Sequence, residues 1–184
     1  MHTDSSPDVW LSSARRCPSP NFNERPAGAD ISLLVIHNIS LPPGQFGGDA
    51  VEQLFCNALD CSAHPYYQKL KGLRVSSHLY IRRSGELVQF VPLNLRAWHA
   101  GESSFEGRPN CNDYAIGIEL EGTDETPYSQ SQYDVLAVVT KELLRRYPML
   151  MPERIVGHSD IAPERKTDPG QAFDWAYYTS LLGA

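Results

Sequence analysis

Two histidines and an aspartate stand where apolar stretches of this 184-residue chain give out. His37 follows Leu33-Leu34-Val35-Ile36, His158 follows Ile155-Val156-Gly157, and the loop after His158 carries Lys166-Thr167-Asp168-Pro169-Gly170. Two neutral imidazoles and a carboxylate are the kind of three-ligand set that hydrolytic zinc sites use, leaving the fourth tetrahedral position to water. The gaps of 121 and 10 positions match no short metal motif, so the residue pattern leaves rivals open. His78, His64 and His99 are alternative ligands, and Asp168 also reads as a turn former ahead of Pro169.

The elements that must hold these residues follow from periodicity. Ile31 to Ile39 is apolar on both faces around its centre, which predicts a buried central strand ending at His37-Asn38. A loop rich in Pro and Gly, Leu41 to Gly48, leads to Asp49-x-x-Glu52, a capping-box pattern ahead of Val51, Leu54, Phe55 and Ala58 at helical spacing. Val75 to Arg82 alternates, with Val75, Ser77, Leu79 and Ile81 on one face and Ser76, His78, Tyr80 and Arg82 on a polar one. Ser84-Gly85 then predicts a hairpin turn into Leu87 to Val91. Tyr114 to Glu121 alternates as well, and places Glu119 opposite Ile116, Ile118 and Leu120, beside small residues that leave room. Ser129 with Gln132 predicts the start of a helix running to Tyr147. A short strand, Arg154 to Val156, and a last helix from about Phe173 to Leu182 complete the reading. A hairpin combined with longer helical connections implies an α+β fold, a mixed sheet flanked by helices, in one domain over 1–184 with its core at about 18–182.

Composition narrows the function classes. With 16 Lys+Arg against 22 Asp+Glu the formal charge is −6, which argues against a nucleic-acid partner. The longest apolar run, Val135 to Val139, is far short of the roughly 20 residues that cross a bilayer. Met1 to Asp8 has no basic start and no apolar core, so the expectation is a cytoplasmic protein without a secretory signal. Four cysteines without a Cys-x-x-Cys pair are expected to be free thiols. The window Lys69 to Arg108 holds seven basic residues against three acids, and this local positive field suits a small anionic ligand.

Four blocks in order carry a resemblance: Leu33-Leu34-Val35-Ile36-His37-Asn38-Ile39-Ser40, Arg96-Ala97-Trp98-His99-Ala100-Gly101, Gly117-Ile118-Glu119-Leu120-Glu121-Gly122-Thr123, and Gly157-His158-Ser159-Asp160 through Lys166-Thr167-Asp168-Pro169-Gly170. Together, over roughly Pro18 to Trp175, they resemble the cytoplasmic zinc-dependent 1,6-anhydro-N-acetylmuramyl-L-alanine amidases of the peptidoglycan recognition protein-like family. The resemblance implies that family's mixed sheet with flanking helices. It also implies one zinc ion per chain on His37, His158 and Asp168, a general base at Glu119 and an oxyanion-stabilising cation at Lys166.

The implied reaction is hydrolysis of the amide between the lactyl group of (anhydro-)N-acetylmuramic acid and L-alanine in muropeptides. By the same resemblance it belongs to cell-wall recycling and lowers the signal that induces β-lactamase. The partner is then a small muropeptide, with no obligate protein partner. Asn38, Arg74 and Trp98 are the candidate substrate-binding residues. Asn110 stands where some relatives carry an Arg, which leaves one contact to a substrate carboxylate open. On residue type alone Glu119 also reads as a solvated strand carboxylate, Lys166 as a loop cation and Trp98 as a core residue. The alternative function is a non-catalytic muropeptide-recognition module.

Overall fold

The computed structural model describes residues 8–183, so the N-terminal reading over residues 1–7 lies outside the described residues. In chain order the strands are β1 (Arg15–Arg16), β2 (Phe22–Asn23), β3 (Leu33–Ile39), β4 (Leu79–Ile81), β5 (Leu87–Gln89), β6 (Arg96–Ala97), β7 (Ser104–Phe105), β8 (Arg108–Pro109), β9 (Ala115–Glu121) and β10 (Ile155–Gly157). The helices are α1 (Ala50–Phe55), α2 (Gln130–Arg146), α3 (His158–Ile161) and α4 (Trp175–Leu182). Six strands form one sheet in the order β1-β5-β4-β9-β3-β10. Only the β4–β5 hairpin pairs antiparallel within it, so the sheet is mixed, as the sequence predicts.

Alternation assigns the two faces. Leu34 and Ile36 of β3, Ile116, Ile118 and Leu120 of β9, and Leu79 and Ile81 of β4 form one buried cluster with Tyr133, Leu136, Val139 and Leu143 of α2 and Tyr178 of α4. The expected capping box opens α2: the Ser129 hydroxyl accepts from Gln132 N at 3.2 Å and Gln132 Oε1 accepts from Ser129 N at 3.0 Å. Gln132 then donates through Nε2 to the carbonyls of Ile81 and Glu121, tying the helix start to the ends of β4 and β9.

On the opposite face the cover is divided. Tyr80, Val88 and Phe90 pack with Val51, Leu54 and Phe55 of α1, while Leu33, Val35 and Ala115 pack with Ala100, Cys111, Tyr114 and Ile161. Between these two clusters, residues at the C-terminal ends of parallel β3 and β9 line a cavity. Open sheets with parallel strands place ligand sites at those ends.

Three local expectations are corrected. Asp49 makes no side-chain cap on α1; its carboxylate and that of Glu52 instead accept from Arg82, and Glu52 also from Arg15, because two guanidinium groups compete successfully with the backbone N–H groups. The alternating run at Val75 to Arg82 is a strand only over Leu79–Ile81, and its supposed polar face is buried at Ser76, His78 and Tyr80, which neighbouring segments cover. Arg154 lies in a short 3₁₀ turn, so β10 runs Ile155–Gly157. The four cysteines are free thiols as expected, with the sulfurs of Cys17 and Cys56 3.5 Å apart. Among the described residues no helix is long and apolar enough to cross a membrane.

Candidate metal centre and active site

His37 is the fifth residue of β3, and Glu119 is its register partner on parallel β9, so both side chains stand on the same face of the sheet. His158 follows β10, which pairs parallel with the other edge of β3, and it starts α3. The loop after α3 brings Asp168 back over the strand ends. As a result His37 Nδ1 lies 2.9 Å from His158 Nδ1, and Asp168 Oδ2 lies 3.2 and 3.0 Å from those two nitrogens. Among the described residues these three form the group able to hold a metal ion.

The protonation pattern fits a cation. The outer nitrogen of His158, Nε2, faces the Ala100 carbonyl at 3.0 Å, and a carbonyl can only accept. Nε2 of His158 therefore carries a proton, which leaves its Nδ1 as the nitrogen that can present a lone pair to a metal ion. Nε2 of His37 lies 2.9 Å from His99 Nδ1; when His37 donates there, its Nδ1 is a lone pair too. Two lone pairs and a carboxylate oxygen then face one another with no proton between them, an arrangement a positive ion stabilises. Their edges fall a few tenths of an ångström below the ~3.3 Å expected for a tetrahedron with ~2.05 Å zinc bonds.

Electrostatics agrees. Burial, first, brings His37 down to about 4, so the ring is neutral. Asp168 is partly buried, which opposes ionisation, but the close approach of His158 and His37 outweighs that and holds the carboxyl far below the usual range. Neutral imidazoles with an ionised carboxylate are the ligand forms that bind metal.

Glu119 is 7% exposed, so the open strand face expected for it is corrected: all of β9 is buried. Burial, and then the charge of Asp168, hold its carboxyl well above the ordinary carboxylate range, with Lys166 acting in the other direction. Its Oε2 is buried and has no hydrogen-bond partner. A carboxylate oxygen left unpaired in this way costs free energy until something enters the site and donates to it. Lys166 is half-buried in the loop between His158 and Asp168.

A cavity of about 710 Å³ opens onto these groups. Its lining brings together His37, His158, Asp168, Glu119, Lys166, Asn38 and Trp98. Asn38 donates through Nδ2 to Asp124 Oδ1 at 2.8 Å and to the Pro169 carbonyl at 3.1 Å, so its amide anchors the Asp168 loop. Trp98 is half-buried and donates from Nε1 to Asn23 Oδ1 at 2.6 Å, which fixes the indole at the cavity wall. Arg74 is exposed and lies outside the lining, although its neighbours Leu73 and Val75 belong to it; Asn110 is exposed and is also outside. The positive field expected over Lys69 to Arg108 is not directed into the cavity: none of its seven basic residues lines it, and Arg82 pairs with Asp49, Glu52 and Glu86, and Arg96 with Asp113. The cations that do line the cavity are Arg165 and Lys166.

The rival histidines have other partners. His64 accepts through Nδ1 from Tyr66 N and caps a 3₁₀ turn. His78 accepts through Nδ1 from Gly117 N at 3.0 Å and faces the Leu95 carbonyl with Nε2. His99 is the outer partner of His37, a role that its spacing does not announce.

A family model described as N-acetylmuramoyl-L-alanine amidase matches residues 27–171. The 1,6-anhydro-N-acetylmuramyl-L-alanine amidase AmpD of Citrobacter freundii is 56% identical over 173 residues, covering 94% of this chain and 92% of that one. The crystal structure of a selenomethionine AmpD derivative is similar with a TM-score of 0.92 at 55% identity, over 94% of this chain and 96% of that one. AmiD of Escherichia coli, solved with anhydro-N-acetylmuramic acid-L-Ala-D-gamma-Glu-L-Lys as substrate, is similar with a TM-score of 0.61 at 27% identity, over 88% of this chain and 65% of that one.

Proposed function

The chain belongs to the N-acetylmuramoyl-L-alanine amidase family, and from that premise we propose a zinc-dependent mechanism carried by His37, His158, Asp168, Glu119 and Lys166. It is an enzyme that hydrolyses the amide between the lactyl group of anhydro-N-acetylmuramic acid and L-alanine in muropeptides, a step of cell-wall recycling. The non-catalytic recognition module weighed from the sequence gives way to the enzyme. The observation that carries the mechanism is the meeting of His37 Nδ1, His158 Nδ1 and Asp168 Oδ2 beside the unpartnered Oε2 of Glu119.

His37, His158 and Asp168 would hold the zinc, which when bound supplies Lewis-acid activation of water and of the scissile carbonyl. Glu119 takes the proton of the attacking water on its free oxygen and delivers it to the leaving amine of L-alanine. Burial moves its pKa upward from the ordinary carboxylate range, the direction that favours a group which must both take and return a proton. The Lys166 ammonium meets the negative charge that develops on the carbonyl oxygen as the tetrahedral intermediate forms. Trp98 covers the sugar or the peptide with its indole face. Asn38 contributes through the loop it anchors, and Arg74, outside the lining, is left to a stem carboxylate that extends beyond the cavity.

A soluble, recycled substrate goes with a cytoplasmic enzyme, and by removing the stem peptide there it would lower the muropeptide signal for β-lactamase induction. The test compares release of stem peptide from anhydromuropeptides and from isolated sacculi, with and without zinc. Zinc-dependent cleavage of the soluble substrate is expected; efficient release from sacculi with little action on anhydromuropeptides would overturn the reading.

A further inference from the structure

Two adjacent residues supply the outer partners of both metal-site histidines. His99 Nδ1 lies 2.9 Å from His37 Nε2, and the carbonyl of Ala100 lies 3.0 Å from His158 Nε2. The backbone N–H groups of the same two residues both donate to one atom, Oδ1 of Asn112, at 3.1 and 2.8 Å. Asn112 is 6% exposed, sits in the short 3₁₀ turn Cys111–Asp113 and is not part of the cavity lining.

We propose that Asn112 is a positioning residue for the metal centre: by clamping the His99–Ala100 backbone it sets the tautomer and ring direction of His37 and His158 together. The inference rests on the reading of these two histidines as ligands. Both outer partners are closely packed, so a shift of their backbone is passed on to what they touch. The His99 ring lies against Gly117 of β9 so closely that a Cβ there would come within 2.5 Å of its Cγ. The Ala100 carbonyl also accepts from Arg165 Nη2 at 2.7 Å, which couples the segment to the loop bearing Lys166 and Asp168. On its far side Asn112 is held in turn, since its carbonyl accepts from the half-buried Arg25 guanidinium at 3.1 Å. A single side-chain oxygen thus binds two consecutive residues, and these contact one ligand each, His37 on β3 and His158 at the start of α3.

Outer partners of metal-bound histidine keep the ring in the binding tautomer, and their loss costs about 10- to 100-fold in metal affinity. The test measures zinc dissociation constants by chelator competition and the visible absorption of the cobalt(II) form, for the wild type, Asn112→Ala and Asn112→Asp. Melting of the metal-free proteins is measured alongside. Asn112→Ala is expected to weaken zinc by about 10- to 100-fold and to change the cobalt spectrum. Asn112→Asp keeps an acceptor oxygen and is expected to recover most of both. A lowered melting temperature in Asn112→Ala with unchanged zinc affinity and cobalt spectrum would overturn the proposal.

If Asn112→Ala fails to fold, His99→Leu against His99→Asn asks the same question one residue closer, the Asn oxygen standing near the lost Nδ1; equal zinc affinity in that pair overturns the proposal. His158→Ala separates the two possible failures. Retained zinc affinity in His158→Ala defeats the ligand reading itself. Its loss there, with Asn112→Ala still at wild-type affinity, defeats only the role of Asn112.

Discussion

His37 and Glu119 are direct register partners on the parallel strands β3 and β9, so a metal-site nitrogen and an unpaired carboxylate oxygen stand one strand apart on the same face. The spacing is set by the sheet, whose strands lie about 4.8 Å apart, and not by loops. A reaction that needs a base close to the metal but not bound to it finds that separation built into the backbone.

Glu119→Gln keeps the volume of the side chain and removes the proton acceptor. Folding and zinc content are expected to be unchanged, with turnover down by about 10²- to 10⁴-fold. Circular dichroism, metal analysis and steady-state kinetics check this, and near-wild-type turnover would assign the base to another group.

Metal content gives a second measurement. The purified protein is expected to hold one zinc per chain, to lose activity on treatment with a chelator and to regain it on adding zinc back. His158→Ala leaves His37 Nδ1 and Asp168 Oδ2 as the remaining donors at a site built for three. Substoichiometric zinc is expected in that variant, and unchanged zinc content would refute the ligand set.

Acid stability tests a network remote from the site. Glu52 is partly buried, which raises its carboxyl pKa, but hydrogen bonds from Arg15 and Arg82 outweigh burial and hold it at about 2. Its unfolded value is about 4.3, so the folded pKa is depressed: the stabilisation is complete above about 4.3 and is lost as pH falls towards 2. Because Arg15, Glu86 and Asp49 of the network are solvent-accessible, its contribution is on the order of 1 kcal/mol. Urea midpoints for Glu52→Gln should be lower than wild type at pH 7 and should converge with it by about pH 2; parallel curves would exclude Glu52 from the acid transition.

Much of this arrangement is legible in the chain before folding. The run ending at His37 and the alternation around Glu119 are strand signals because both strands are bounded by polar residues, and the Ser129–Gln132 pair marks α2 because its donors and acceptors are local. Asp49 and Glu52 carry the same local signal and mislead, since guanidinium groups from Arg15 and Arg82, far away in sequence, take both carboxylates. His78 misleads for a related reason: alternation assigns it to a polar face, and only the long-range cover by neighbouring segments shows that face to be buried. The clamp at Asn112 leaves no periodic trace. Its bonds join residues 12 and 13 positions apart, and through them reach rings on β3 and at the start of α3, a relation that exists only once the sheet has closed.

Lys166 offers the sharpest division between two roles. A cation that meets charge present only in the transition state affects kcat, whereas one that holds a carboxylate of the bound substrate affects KM. Lys166 forms no ion pair among the described residues, and its charge acts on both Glu119 and His37, which puts the ammonium near the reacting groups and leaves it free to respond to a new negative charge. Loss of one preorganised oxyanion donor costs about 10²- to 10³-fold in kcat. Lys166→Ala is therefore expected to lower kcat by that order with little change in KM. Lys166→Arg should recover only part of the rate, because a planar guanidinium cannot place its charge where the compact ammonium sits. Steady-state kinetics on zinc-replete protein decide the matter, and a rise in KM with unchanged kcat would remove Lys166 from the catalytic groups and make it a substrate contact.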